Sequence, residues 1–254
     1  MRFVPFGRRA AAALSSAALA FAGPALAQAG GPGFSFMAPQ GSISLRGGFA
    51  AASAGGDVLG FATDNLTLGR GDFGGAMLSA DVGVVLPGRD ARLELVFGSA
   101  FEISKAESEF RDWVDDADQP IAQTTTFHRV PVTAGLKAYL TPRGRSVGHF
   151  AWVPARVAPY VGAGGGGIWY RFQQDGDFVD FETLAVAGRR YESSGWAPAA
   201  YAGAGVDLSL GTFVALTADA RYRYARVSPG GDFADFDRID LSGVSTTLGF
   251  NFRF

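Results

Sequence analysis

Leu241 to Phe254 reads LSGVSTTLGFNFRF, and from Thr246 onward the stretch keeps a strict two-residue period. Thr246, Leu248, Phe250, Phe252 and Phe254 take the even positions, with Ser245, Thr247, Gly249, Asn251 and Arg253 between them. Successive side chains of a strand point to opposite faces, so this is a strand with one greasy face and one polar face. Alone, such a strand also suits a soluble sandwich. The rest of the chain decides between the settings.

The same alternation recurs along the rest of the chain. Strands are expected at Ser42 to Ala50, Ala76 to Leu86, Ala91 to Ile103, Phe127 to Leu140, Val157 to Phe172, Pro198 to Leu210 and Phe213 to Ala225. Their apolar faces carry series such as Leu93, Leu95, Phe97, Phe101, Ile103 and Val130, Val132, Ala134, Leu136, Ala138. Their polar faces carry full charges: Arg46, Asp81, Arg92, Glu94, Glu102, Lys137, Asp207, Asp219, Arg221 and Arg223, joined by Arg253 on the last strand. Pro131 is a local departure, since proline lacks a ladder donor. Gly162 and Gly164 to Gly167 blur the alternation of the fifth strand, where a barrel wall would have to bend.

With the last strand this makes an even set of eight, each about long enough to cross a bilayer obliquely. The connections sort into two classes. Pro87-Gly88-Arg89-Asp90 and Gly211 mark tight reversals, whereas 51–74, 104–126, 173–193 and 226–240 are long. Short turns on one side and long loops on the other are the asymmetry of a transmembrane barrel, which a soluble sandwich has no reason to produce. In lipid every backbone polar group must be paired, so only a closed ring can span. The fold expected is an all-β, eight-stranded, antiparallel up-and-down transmembrane barrel. Its interior is narrow enough for side chains to fill. Charges of both signs facing inward would then pair, because a lone charge there is costly, and the lumen is expected to be plugged.

Three segments follow: a signal peptide over 1–27, a lead-in over 28–40 and the barrel over 41–254. Arg2, Arg8 and Arg9 form a basic start, Ala10 to Ala22 a weakly apolar core, and Ala25-Leu26-Ala27 a small-x-small cleavage site. The chain has no cysteine, which excludes a disulfide framework and a lipid-anchored lipoprotein. Its net charge is −2, and removing the signal makes it more acidic, so nucleic acid is a poor partner.

The chain resembles the small eight-stranded outer-membrane β-barrels of the opacity and OmpA types. Pro159 to Gly164 (PYVGAG), Gly203 to Leu208 (GAGVDL), Ala218 to Tyr224 (ADARYRY) and the closing strand carry that resemblance. It implies residence in the outer membrane of a Gram-negative bacterium, among lipid and lipopolysaccharide. It also implies delivery by periplasmic chaperones to the barrel assembly machinery, which would read Leu248, Phe250, Phe252 and Phe254 as its signal. The role implied is non-enzymatic: envelope structure or adhesin-like surface contact through four outer loops, by a monomer. A narrow, porin-like solute channel of the OmpW type is the alternative, and a lipid-modifying enzyme is third.

A search for a site finds little. Acidic residues crowd the loops, including Glu107, Glu109, Asp112, Asp115, Asp175, Asp177, Asp232 and Asp235, but the spacing of a dedicated calcium loop is missing. Phe178, Phe233 and Phe236 among them are expected to pack the loops together, and Trp169, Tyr170, Tyr222 and Tyr224 to anchor the barrel at the membrane interfaces. Arg70-Gly71-Asp72 reads as a turn. His128 and His149 are the chain's two histidines, neither with zinc spacing, and His128 is expected at the outer rim. No catalytic residue, cofactor or metal is assigned.

Overall fold

The computed structural model describes residues 33–88, 92–115, 118–148, 151–179 and 185–254. The expected signal peptide, residues 28–32 of the lead-in and His149 lie outside them. The described elements are β1 (Gly41–Ala52), α1 (Asp57–Asn65), β2 (Gly75–Val85), β3 (Leu93–Val114), β4 (Pro120–Tyr139) and β5 (Gly144–Val147). They continue with β6 (Ala151–Pro154), β7 (Val157–Val179), β8 (Val186–Ser209), β9 (Val214–Val227), β10 (Ile239–Asp240) and β11 (Gly243–Arg253).

Antiparallel pairing runs β1-β2-β3-β4-β7-β8-β9-β11, and β11 returns to β1. The last strand therefore closes the ring on the first, from Ser42 opposite Arg253 to Ala52 opposite Gly243. Burial is inside out relative to a water-soluble protein. Ser44, Arg46, Asp81 and Glu94 are buried, whereas Leu45, Leu78, Phe97 and Leu248 stand exposed at 53%, 68%, 52% and 56%. A surface of that kind is stable only against lipid, and the fold is the eight-stranded transmembrane barrel that the alternation indicates.

Two of the expected loops are largely strand. β3 continues to Val114 and β4 begins at Pro120, while β7 runs to Val179 and β8 begins at Val186. A strand of this length rises some 70 Å, about twice what an oblique crossing needs, so the upper halves of β3, β4, β7 and β8 project beyond the bilayer as a wall. The shorter β1, β2, β9 and β11 end lower. The space left above them is taken by α1, which lies within the expected loop 51–74, and by 228–242. Gly56 starts the helix at φ 85, where only glycine is at ease, and a Cβ there would meet the Arg238 carbonyl oxygen at 2.8 Å. That carbonyl accepts from the amide of Asp57 at 3.0 Å and so caps the helix from another loop.

At the other end, β5 and β6 form a small hairpin between β4 and β7. Ser35 of the lead-in exchanges both backbone hydrogen bonds with Trp152 of this hairpin. Pro131 is accommodated by a break in pairing: the β3–β4 register passes from Ser99–Val132 to Glu102–Arg129.

Candidate functional site

The lumen is the candidate site, because charged side chains converge there from seven strands of the ring and β7 adds the Tyr160 hydroxyl. Room for them comes from glycine. Across the ladders Asp81 stands opposite Gly98, Arg46 opposite Gly249, Arg221 opposite Gly203, Asp219 opposite Gly205 and Lys137 opposite Gly162. A glycine across the ladder leaves the facing side chain room in the narrow interior, and a Cβ at Gly98 would collide with Asp81 Oδ1. The Gly-rich run of β7 thus serves the interior as well as the bend. Gly164 lies opposite Tyr201, whose ring turns inward.

The charges form three tiers. Nearest the C-terminus, Ser42 Oγ donates to Glu94 at 2.5 Å, and Tyr139 donates its hydroxyl to Asp207 at 2.8 Å. Lys137 lies 3.4 Å from Asp207 and 4.0 Å from Glu94, with its ammonium 3.8 Å from the centre of the Tyr160 ring. Asn251 Nδ2 donates to Asp207 at 3.1 Å, and Arg253 Nη1 donates to Ser209 Oγ at 2.9 Å. In the middle tier Arg46 pairs with Asp81, and Arg221 bridges Asp81 at 2.8 Å and Asp219 at 2.7 Å. Tyr160 adds its hydroxyl to Asp219 at 2.9 Å. In the upper tier Glu102 takes Arg223 at 2.6 Å on one oxygen and Arg129 at 3.1 Å on the other.

The charged residues singled out from the sequence occupy inward-facing positions of the ring strands, save that Arg92 comes just ahead of β3. That residue is partly buried just before β3, where its carbonyl accepts from the Tyr139 amide at 2.8 Å. Arg129, Arg143 and Tyr160 belong to the network without having been singled out. Arg129 lies two residues from Pro131, where alternation is hardest to trust. Arg143 sits beyond a strand end, yet it is buried and reaches within 3.9 Å of Glu94. Tyr160 sits among the glycines.

Above the upper tier the interior turns apolar. Phe127, Ile168, Tyr170 and Phe172 from the wall meet Val58, Leu59 and Ala62 of α1 and Leu66, Phe73, Phe233, Ile239 and Leu241 of the loops. Phe172 packs edge-on against Phe127 and Phe233, with centroids 5.7 and 5.3 Å apart. Phe233 and Phe236 do pack the loops together. Tyr170, expected at the interface, is instead buried in this core with its hydroxyl 3.0 Å from Ser193 Oγ. One residue of register separates it from Trp169, which keeps the outward face. Between the tiers, voids lined by Arg46, Asp81, Tyr160 and Arg221, or by Asp81, Tyr201 and Arg223, measure only about 20 Å³. That is room for a single water.

Outside the lumen, Arg70-Gly71-Asp72 lies in a short 3-10 turn, where Asp72 accepts from the Gly69 amide at 2.7 Å. Several loop acids pair locally, Asp175 with Arg190 at 3.1 Å and Asp240 with Arg226 at 3.3 Å. Among the described residues no group of three or more His, Asp or Glu is arranged around a common metal position. His128 faces outward and packs its ring against Phe101, with centroids 5.7 Å apart. Leu248, Phe250 and Phe252 all face lipid, and the Phe254 ring lies over Gly41.

No protein-family model matches the chain, and no curated protein does. Solved structures with a similar course include the outer membrane protein OprG from Pseudomonas aeruginosa, at 13% identity over 85% of this chain and 97% of that one, with a TM-score of 0.45. Neisserial surface protein A is similar at 11% identity over 84% and 97%, with a TM-score of 0.41. Ail, the attachment invasion locus protein of Yersinia pestis, is similar at 15% identity over 85% and 99%, with a TM-score of 0.36.

Proposed function

We propose that this protein is a closed, non-conducting and non-enzymatic outer-membrane barrel, exported behind its N-terminal segment, that acts as a monomer in envelope structure or surface contact. The observation that carries this reading is the double closure of the interior. A solute would have to displace three tiers of paired charge and then an apolar core of the kind that fills a water-soluble domain. Breaking either is expensive: a buried ion pair that loses one partner costs about 3–5 kcal/mol. The projecting wall supports a role outside the bilayer, since a simple anchor has no use for strands twice the spanning length.

Single-channel recording of the refolded chain in a planar bilayer tests this, with a heat-dependent gel mobility shift as evidence of folding. Silence is the expected result. Discrete, reproducible openings from folded protein would replace this reading with that of a narrow solute channel.

A further inference from the structure

The outward face carries a feature that the filled lumen does not explain. On each strand of the projecting wall the lipid-facing series is apolar, Ser99 of β3 apart, up to a definite residue and then changes. The last apolar or aromatic residues are Ile103 on β3, Val130 on β4, Trp169 on β7 and Trp196 on β8, with Tyr224 on the neighbouring β9. The next outward residues are Lys105, His128, Arg171, Ser194 and Arg226. Three are full cations and a fourth is an imidazole.

Register brings the first three together. His128 stands directly opposite Arg171 across the β4–β7 ladder. Ile103 stands opposite His128, which puts Lys105 one diagonal step away. Such neighbours lie about 5–8 Å apart, a span that one phosphate or a pair of phosphates can bridge. Trp169 and Trp196 pair directly beneath them, and paired indoles of this kind sit at headgroup depth. The Arg171 side chain is 43% exposed and leans on Glu192 at 2.7 Å, which fixes its guanidinium against the wall without covering it.

The opposite boundary of the apolar band is different. There the outward residues nearest the turns are Leu93, Leu140, Val157, Leu208, Leu210 and Phe252, all exposed and none charged. Near that same end Arg143 and Arg253 are buried, while Arg145 in the hairpin and Arg156 in the turn before β7 are exposed.

We infer that Lys105, His128 and Arg171 form a binding surface on the outer wall of β3, β4 and β7 for the phosphate of a phosphorylated outer-leaflet lipid. Indoles and apolar strand faces below take the acyl chains, and the cations above take the headgroup. The inference rests on the membrane placement proposed above and names the lipid that placement meets.

The test is binding of diphosphoryl lipid A, and of the same lipid stripped of phosphate, to the refolded full chain in neutral detergent, read by native mass spectrometry. The unaltered chain should retain the phosphorylated lipid at least about tenfold more tightly. Lys105→Gln with Arg171→Gln should abolish that preference while leaving the heat-dependent mobility shift intact. Lys105→Arg should keep it. Equal binding of the two lipids, or an undiminished preference in the double variant, would overturn the inference. Inorganic phosphate supplies the last arm: competition at the concentration of the lipid itself would make soluble phosphate the ligand and reject the lipid. Channel openings would defeat the closed-barrel reading and leave this preference standing, so the two failures are distinguishable.

Discussion

Glu102 is the residue on which the two halves of the interior meet. It is 1% exposed, and each carboxylate oxygen holds a different arginine, one from β9 and one from β4, immediately below the apolar core. Replacing it by glutamine keeps the shape and removes the charge. Arg129 and Arg223 would then face each other in a desolvated space, with an amide hydrogen turned toward one of them. The expected cost is about 3–5 kcal/mol, seen as a lower urea midpoint for unfolding in lipid vesicles. Glu107→Gln, on the exposed outer wall of the same strand, should shift stability by no more than about 0.5 kcal/mol. Equal effects from the two substitutions would mean that the lumen pairs hold nothing together.

At the scale of elements, α1 and the loops around it behave as a lid with its own core. Leu59 is fully buried where the helix meets the wall. Leu59→Ala should cost about 2–5 kcal/mol locally. Hydrogen exchange should quicken in α1 and 228–242 while the ring of strands stays protected, because the ladders below do not depend on the lid. Uniformly faster exchange would show instead that lid and ring unfold as one. This layer was also the least legible part of the sequence. The ring could be read because lipid demands a greasy residue at every second position. Above the membrane that demand lapses: Lys105, Glu107, Glu109 and Arg111 alternate with Ser104, Ala106, Ser108 and Phe110, so one face is charged and the other mixed. The two-residue period is present, but its charge density reads as a loop. Similarly, the inward charges followed from alternation wherever a strand was regular, and Arg129 and Arg143 escaped at a proline and a strand end.

The whole molecule is defined by where the bilayer crosses it, and that placement makes a graded prediction. Leu248 is the middle of five outward residues on β11, and Val244 is the outermost, opposite Tyr222 on β9 and Ala51 on β1. Both are about half exposed, at 56% and 48%, so a water-soluble protein would tolerate arginine at either with similar ease. In a membrane they differ by depth. Arginine at the midplane costs about 2–4 kcal/mol, and near an interface about 0–1 kcal/mol, because there the side chain can reach water or headgroups. Folding of Leu248→Arg into vesicles, followed by reversible urea titration, should therefore be destabilised by that larger amount, and Val244→Arg hardly at all. The pair shares one strand, one face and one substitution, which removes differences in packing inside the lumen. Equal penalties would mean that the apolar band is not centred on the bilayer. A larger penalty at Val244 would place the membrane higher on the wall, drawing the cationic boundary of β3, β4 and β7 down into hydrocarbon.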